Sequence, residues 1–335
     1  MSNLFLKIPA NNKAKEDMDV IMENEGFRNV AISCSSHNTV VRFFCKLFSV
    51  MLLPARVGKG DVLLVQYPFK KYFALVCMLA HLRGGKVVAL IHDLGSFRRK
   101  KLTVDQERRR LDNSDVIIVH NAAMKKFLAE NGTTKPMVEL GIFDYIADSA
   151  GMMPKKDEKE DWQVVYAGGL AKRKNTFLYL LDDYIDGWHF NIHGNGLDSG
   201  ADEKWKSITF RGFIRPDDFV RSSIGHFGLV WDGSSIDECT GDWGEYLRIN
   251  NPHKTSFYIR SGKPVIMWEK SALTPFVLRE GVGIAVNSLR EIGDKLKSIT
   301  PEQYYGLCQR AAAVSKHLSS GHYFREAYRK ALLLL

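Results

Sequence analysis

Residues 244–268 read GEYLRINNPHKTSFYIRSGKPVIMW. Asn250, Asn251 and Pro252 make a turn, and His253, Lys254 and Thr255 open a short helix. Ser261, Gly262, Lys263 and Pro264 close it before the apolar run VIMW. A helix that hands over to a strand without polar alternation is one unit of a parallel sheet covered on both faces. The helix start also offers backbone N–H groups and the positive end of the helix dipole. With Lys254 and Thr255 beside them, these suit a phosphate. They equally suit an ordinary capped helix between two strands.

Working outward, the same rhythm fills the chain. Before residue 144, strands are expected over 4–9, 30–33, 61–66, 86–91, 115–119 and 136–140. Helices are expected through Glu25, over 40–53 and 69–83, up to Leu111, and over 122–131. Residues 144–162, with the run MMPKKDEKEDW, are polar, charged and aperiodic, and read as a linker. The alternation then restarts, with strands over 163–167, 189–193, 207–211, 227–231, 265–268 and 283–286. Helices lie near 176–183, from Pro216, from Leu273 and in a C-terminal pair, while 234–244 reads as irregular. No short tandem repeat appears, which removes solenoids and propellers. The expected fold is α/β: two Rossmann-like, doubly wound domains of similar size, 1–157 and 158–319, facing each other across a cleft. Ligands of such sheets sit beyond the carboxyl ends of the strands, where the glycine-bearing turns fall.

Composition agrees. At 335 residues, with 45% hydrophobic and 25% charged residues, the chain has the size and balance of a soluble two-domain protein. Five cysteines are scattered and form no Cys-x-x-Cys pair, which points to reduced core thiols, a cytoplasmic setting and no structural zinc. MSNLFLKIPANNKAKED turns polar within a few residues and reads as a first strand, not a signal peptide. The net charge of +9 suits nucleic acid, an anionic membrane surface or a phosphorylated small molecule. Its densest clusters are Arg98, Arg99, Lys100 and Lys101, then Arg108, Arg109 and Arg110. Neither zinc-finger spacing nor an RNA-binding aromatic signature accompanies them, which argues against nucleic acid.

Several strand ends carry candidate chemistry. In GGLAKRK, Gly168 and Gly169 let the backbone approach a ligand, and Lys172 or Arg173 can neutralise a diphosphate. The loop is neither GxGxxG nor Walker A, so nicotinamide and P-loop readings gain nothing from it. The bend at Gly212 and Phe213 can hydrogen-bond a base and cover its face, or Phe213 can pack in the core. Asp232, closing GLVWDG, can bind a sugar hydroxyl or cap the next segment. Tyr246 and Arg248 are candidates to hold a donor. In the first half, KVVALI runs into His92 and Asp93, the strongest acid–base candidates, with Asp17 a second candidate base. Asn11, Asn12 and Lys13 form a loop on the same side.

YAGGLAKRKNTFLYLL, GLVWDG, NNPHKTSFYIRSGKPVIMW and HDLGSFR resemble a bacterial GT-B glycosyltransferase family. It includes β-1,6-galactofuranosyltransferases and the glucosyltransferases that extend glycans on streptococcal serine-rich adhesins. The resemblance spans nearly the whole chain. It implies a UDP-sugar donor on the C-terminal domain, an acceptor-side N-terminal domain onto which helix 320–335 packs back, and catalysis without metal or other cofactor. It puts Lys172, Lys254, Gly168 and Gly169 at the diphosphate, Asn251 beside the donor, and Gly212 with Phe213 at the uracil. Gly169 departs from the asparagine expected after YAG.

The reading that follows is transfer of a hexose, galactofuranose or glucose, to a glycan, glycolipid or glycoprotein acceptor, with inversion. Asp93 or His92 serves as base. A second class stays open: a non-catalytic sugar-nucleotide-binding partner or chaperone of another glycosyltransferase. So do homo-oligomer formation and peripheral contact with the inner face of the cell membrane through VVRFFCKLFSVMLL, residues 40–53, which otherwise lies buried between strands.

Overall fold

The computed structural model describes the chain apart from residues 1, 9–11, 37, 70–71, 99–101, 154, 157–159 and 223. It forms two compact units: Met1–Leu140 with Gly321–Leu335, and Gly141–Ser320.

The first unit holds β1 (Asn3–Phe5), β2 (Arg28–Asn29), β3 (Val62–Tyr67), β4 (Lys86–Ile91), β5 (Val116–Val119) and β6 (Met137–Glu139), all parallel, in the order β2-β1-β3-β4-β5-β6. The second holds β7 (Trp162–Gly169), β8 (Trp188–Asn195), β9 (Ile208–Phe210), β10 (Phe227–Val230), β11 (Val265–Trp268) and β12 (Gly283–Val286). These are also parallel, ordered β12-β11-β10-β7-β8-β9. Read from β9, that is the Rossmann order, with its reversal between β7 and β10. The central strands are apolar throughout because both faces are covered: β5, β10 and β11 are buried at every position.

Some elements differ from expectation. The second strand is β2 at residues 28–29, not 30–33, because the Asn29 side chain accepts the N–H groups of Lys7 and Ala31 and turns the chain off the sheet edge. Residues 176–183 form two 3₁₀ turns, Thr176–Tyr179 and Asp182–Tyr184, in place of one helix. The end of the stretch expected to be irregular, 234–244, belongs to the helix Gly241–Tyr246. Residues 141–151 pack with the second unit: Asp144 and Tyr145 are buried, Ser256 Oγ donates to the Phe143 carbonyl at 2.6 Å, and Arg260 Nη2 donates to the Ser149 carbonyl at 2.9 Å. The helix Thr39–Met51 buries only Ser49 and Val50 and presents most of its apolar side chains to solvent.

One close contact sets the back of the second sheet. The Tyr258 ring lies flat on β10 at Gly228, where a built Cβ would sit 2.2 Å from the ring. The Tyr258 hydroxyl accepts the Ala167 N–H at 2.8 Å and so fixes the end of β7. Gly228→Ala forces that ring away, and overpacking of this kind costs about 1–3 kcal/mol. We expect a lower urea midpoint with an unchanged m-value; an unshifted midpoint would show that Tyr258 yields freely.

Candidate functional site

At an order reversal, the loops leaving the two strands diverge and open a crevice. Beyond β7 and β10 that crevice is lined by charge. Asp232, just past β10 and only 9% exposed, takes Lys254 Nζ at 3.1 Å and Lys174 Nζ at 3.5 Å on the same Oδ1. Lys254 Nζ also donates to the Tyr166 hydroxyl at 2.7 Å and lies 4.1 Å from the centre of its ring. Asn175 Nδ2 donates to the same hydroxyl at 2.8 Å and to the Gly169 carbonyl at 2.6 Å. Lys174 is held from its other side by the Trp243 ring at 4.7 Å.

Burial alone would raise the Asp232 carboxyl, but Lys254 and Lys174 together hold it below the usual carboxylate range. Burial and the charge of Asp232 raise the Tyr166 phenol well above its ordinary value, so it stays neutral. Two ammonium groups thus meet one carboxylate oxygen at the strand ends. Beside it starts the helix His253–Arg260, with Pro252 at its N-cap and no side-chain capping bond. A Cβ on Gly168 would meet the Lys254 side chain at 3.2 Å and the Tyr166 hydroxyl at 3.3 Å. Glycine there lets Lys254 cross the end of β7. Such an arrangement can hold an anion through two ammonium groups and a helix start.

Of the residues singled out from the sequence, this brings together Gly168, Gly169, Asp232 and Lys254. Lys172 and Arg173 are exposed, and the Lys172 ammonium lies 5.7 Å from the Tyr179 ring rather than with Lys254. Tyr246 and Thr255 are buried. Asn251 is buried and donates from Nδ2 to the Gly141 carbonyl at 3.0 Å, fastening the start of its unit. Arg248 packs over the Trp268 ring and pairs with Glu245. Gly212 and Phe213 follow β9, two strands from β7, and Phe213 is 61% exposed instead of packed in the core. Sequence reasoning missed Lys174, Tyr166 and Asn175. Lys174 sits in the same basic run as Lys172, and the turn that returns its N–H to the Ala171 carbonyl at 2.9 Å precedes the Asn175 side chain tied to β7.

The first unit has its own reversal between β1 and β3, with the start of the helix Lys13–Asn24 beside it. Asn12 caps that helix through the Ala14 N–H at 3.0 Å, and Lys13 pairs with Asp17 one turn on; Asn11 lies outside the described residues. Lys15 Nζ donates to the Pro68 carbonyl at 3.1 Å. Burial and Lys46 push its ammonium down to about 8, against the opposing pull of Asp93 and Asp19. His92 is buried past the end of β4, its N–H on the Tyr67 carbonyl at 2.8 Å, and Asp93 is half-buried. Burial lowers neighbouring His120 to about 4, although Asp93 and the Ile91 carbonyl oppose this. Buried Glu107 fixes the following loop by accepting the Gly95 and Ser96 N–H groups and the Tyr67 hydroxyl, each at 2.8 Å.

Comparison with known proteins adds to this geometry. The profile of the Glucosyltransferase 3-like N-terminal domain matches residues 7–142, and that of the corresponding C-terminal domain residues 164–331. The β-1,6-galactofuranosyltransferase WbbI of Escherichia coli is 30% identical over 330 residues, 98% of this chain and 96% of its own. Glucosyltransferase 3 of Streptococcus gordonii is 24% identical over 290 residues, 83% of this chain and 81% of its own. Among solved structures, the lipopolysaccharide outer core galactosyltransferase WaaB in its apo form gives a TM-score of 0.61 at 9% identity, over 99% of this chain and 98% of its own. Anabaena HepE in complex with UDP gives 0.61 at 11% identity over the whole of both chains. At these identities the structural likeness shows the fold, which is GT-B.

The lysine-bound carboxylate has a consequence for stability. Its folded pKa is depressed, so its contribution is complete above the ordinary value of about 3.9 and is lost as pH falls through the lower folded value. Asp232→Asn leaves two ammonium groups facing each other without it. Both lysines keep some contact with water, so we expect a loss of about 1–3 kcal/mol, short of a fully buried broken pair. Thermal melts of the two proteins should differ most at neutral pH and converge in acid; a constant gap would contradict this origin.

Proposed function

The chain belongs to the Glucosyltransferase 3-like family, and from that premise we propose that it is a UDP-sugar-dependent glycosyltransferase that adds a hexose, galactofuranose or glucose, to a glycan acceptor. The observation that carries this reading is the Lys254–Asp232–Lys174 cluster at the order reversal of the second sheet, where two ammonium groups converge beside a helix start. In our reading Lys254, Lys174 and the start of the His253–Arg260 helix hold the diphosphate, and exposed Phe213 stacks on the uracil.

Transfer is a single displacement. The acceptor hydroxyl oxygen bonds to the anomeric carbon, the bond from that carbon to the phosphate oxygen breaks, and the hydroxyl proton passes to Asp93, with His92 the second candidate. One displacement inverts the anomeric centre. The charge that develops on the leaving UDP is met by fixed ammonium groups, so the proposed reaction needs no metal, and transfer should persist in chelator. The acceptor glycan is carried on a lipid or a protein. The five cysteines are all free, which supports a reducing, cytoplasmic compartment.

Thermal shift against UDP, GDP and dTDP, then UDP-hexose isomers, identifies the donor, because a ligand that binds only the folded state raises the melting temperature. We expect UDP to stabilise the protein, and Lys254→Ala or Lys174→Ala to weaken UDP about tenfold to a hundredfold, the worth of a charge-assisted hydrogen bond. Lys172→Ala should have little effect. Full affinity and rate in Lys254→Ala would sink the assignment. Asp93→Asn should slow transfer by about 10²–10⁴-fold while leaving UDP affinity intact. UDP binding with no turnover for any acceptor would favour a non-catalytic sugar-nucleotide-binding partner.

A further inference from the structure

The helix Thr39–Met51 is inside out. Its packed side carries Ser49, whose hydroxyl donates to the Cys45 carbonyl and accepts the Ile32 N–H, and Lys46, whose ammonium lies 4.2 Å from the centre of the Phe69 ring. Its outward side carries Val40, Phe43, Phe44, Phe48 and Met51. Val40 is 62% exposed, Phe48 55% and Met51 56%. Phe43, Phe44 and Phe48 adjoin one another, with successive ring centroids 5.5 and 6.3 Å apart. A contiguous apolar surface of this kind marks an interaction site, since burying it against nothing gains nothing.

Charge identifies the occupant. Between Glu25 and Asp61 the sequence holds Arg28, Arg42, Lys46, Arg56 and Lys59 and no carboxylate. A second copy docked about a two-fold axis would set these cations against their own images. An anionic bilayer meets both demands: acyl chains take the phenyl rings, and headgroups take the cations other than Lys46, which is turned to Phe69. Thirteen residues of helix span only about 20 Å, too little to cross, and among the described residues no helix is long and apolar enough to do so. We propose that Thr39–Met51 lies in the plane of an anionic lipid surface, its phenylalanine face in the headgroup–acyl boundary.

Flotation of the full chain with vesicles tests this, and it is independent of sugar transfer. We expect the protein to float with phosphatidylglycerol–phosphatidylethanolamine vesicles at low salt and several-fold less at high salt, where the cations are screened. It should stay behind with pure phosphatidylcholine. Phe44→Ser/Phe48→Ser and, separately, Val40→Ser/Met51→Ser should keep the wild-type melting temperature, because these side chains face solvent, and lose at least tenfold in the floated fraction. Failure of the wild-type protein to float with anionic vesicles at any salt overturns the proposal. So does undiminished flotation of either folded variant. A dimer that the substitutions split, without lipid binding, overturns it in favour of a second copy.

Discussion

A parallel sheet wound in both directions must have one place where neighbouring strands send their chains opposite ways, and in the second unit that place is between β7 and β10. The features of its candidate site follow from this reversal. The Asp232 carboxylate is buried at this reversal, and its burial demands cations. Lys254 reaches it from the start of the helix that precedes β11, passing close over Gly168, and Lys174 from the loop after β7. Tyr166 and Asn175 then lock the ammonium and the loop to the sheet through short hydrogen bonds. The two ammonium groups are therefore held at the strand ends by the fold itself.

The first unit solves a related problem by another route. The loop after β4 carries His92 and Asp93, and a loop holds a side chain in one place only if its own backbone is satisfied. Glu107 does this from a neighbouring helix, accepting two consecutive amides and a tyrosine hydroxyl. A buried carboxylate is thus spent on backbone order, next to an aspartate that remains half-buried.

The strands that sequence reading located to the residue, Lys86–Ile91, Val265–Trp268 and Gly283–Val286, are short, largely apolar runs in a chain whose helices and turns flank them, and His92, Glu269 and Asn287 mark their ends. β2 escaped because two residues at a sheet edge leave no periodic trace, and an asparagine side chain, not hydrophobicity, ends them. In the candidate site, strand-end glycines and Lys254 were legible because backbone position decides them. The choice among Lys172, Arg173 and Lys174 was not: three adjacent cations are equivalent on paper, and the turn geometry alone aims the last one at Asp232. The structural partner of Asn251 was hidden for a related reason. Its amide serves the Gly141 carbonyl, a partner 110 residues away that no local pattern announces.

The return of the chain after Ser320 also fixes the order in which the protein can be completed. The helix His322–Leu332 belongs to the first unit: it packs against β5 and β6, its Phe324 and Tyr328 rings lie on Phe27, and Tyr328 donates to the Asn3 side chain. A ribosome that has finished the first 140 residues has therefore not supplied everything their sheet needs, and must make the whole second unit before the missing cover emerges. Domains usually mature in the order in which they are synthesised. Here the second unit, contiguous from Gly141 to Ser320, can close on itself first, and the amino-terminal unit is the last to be sealed.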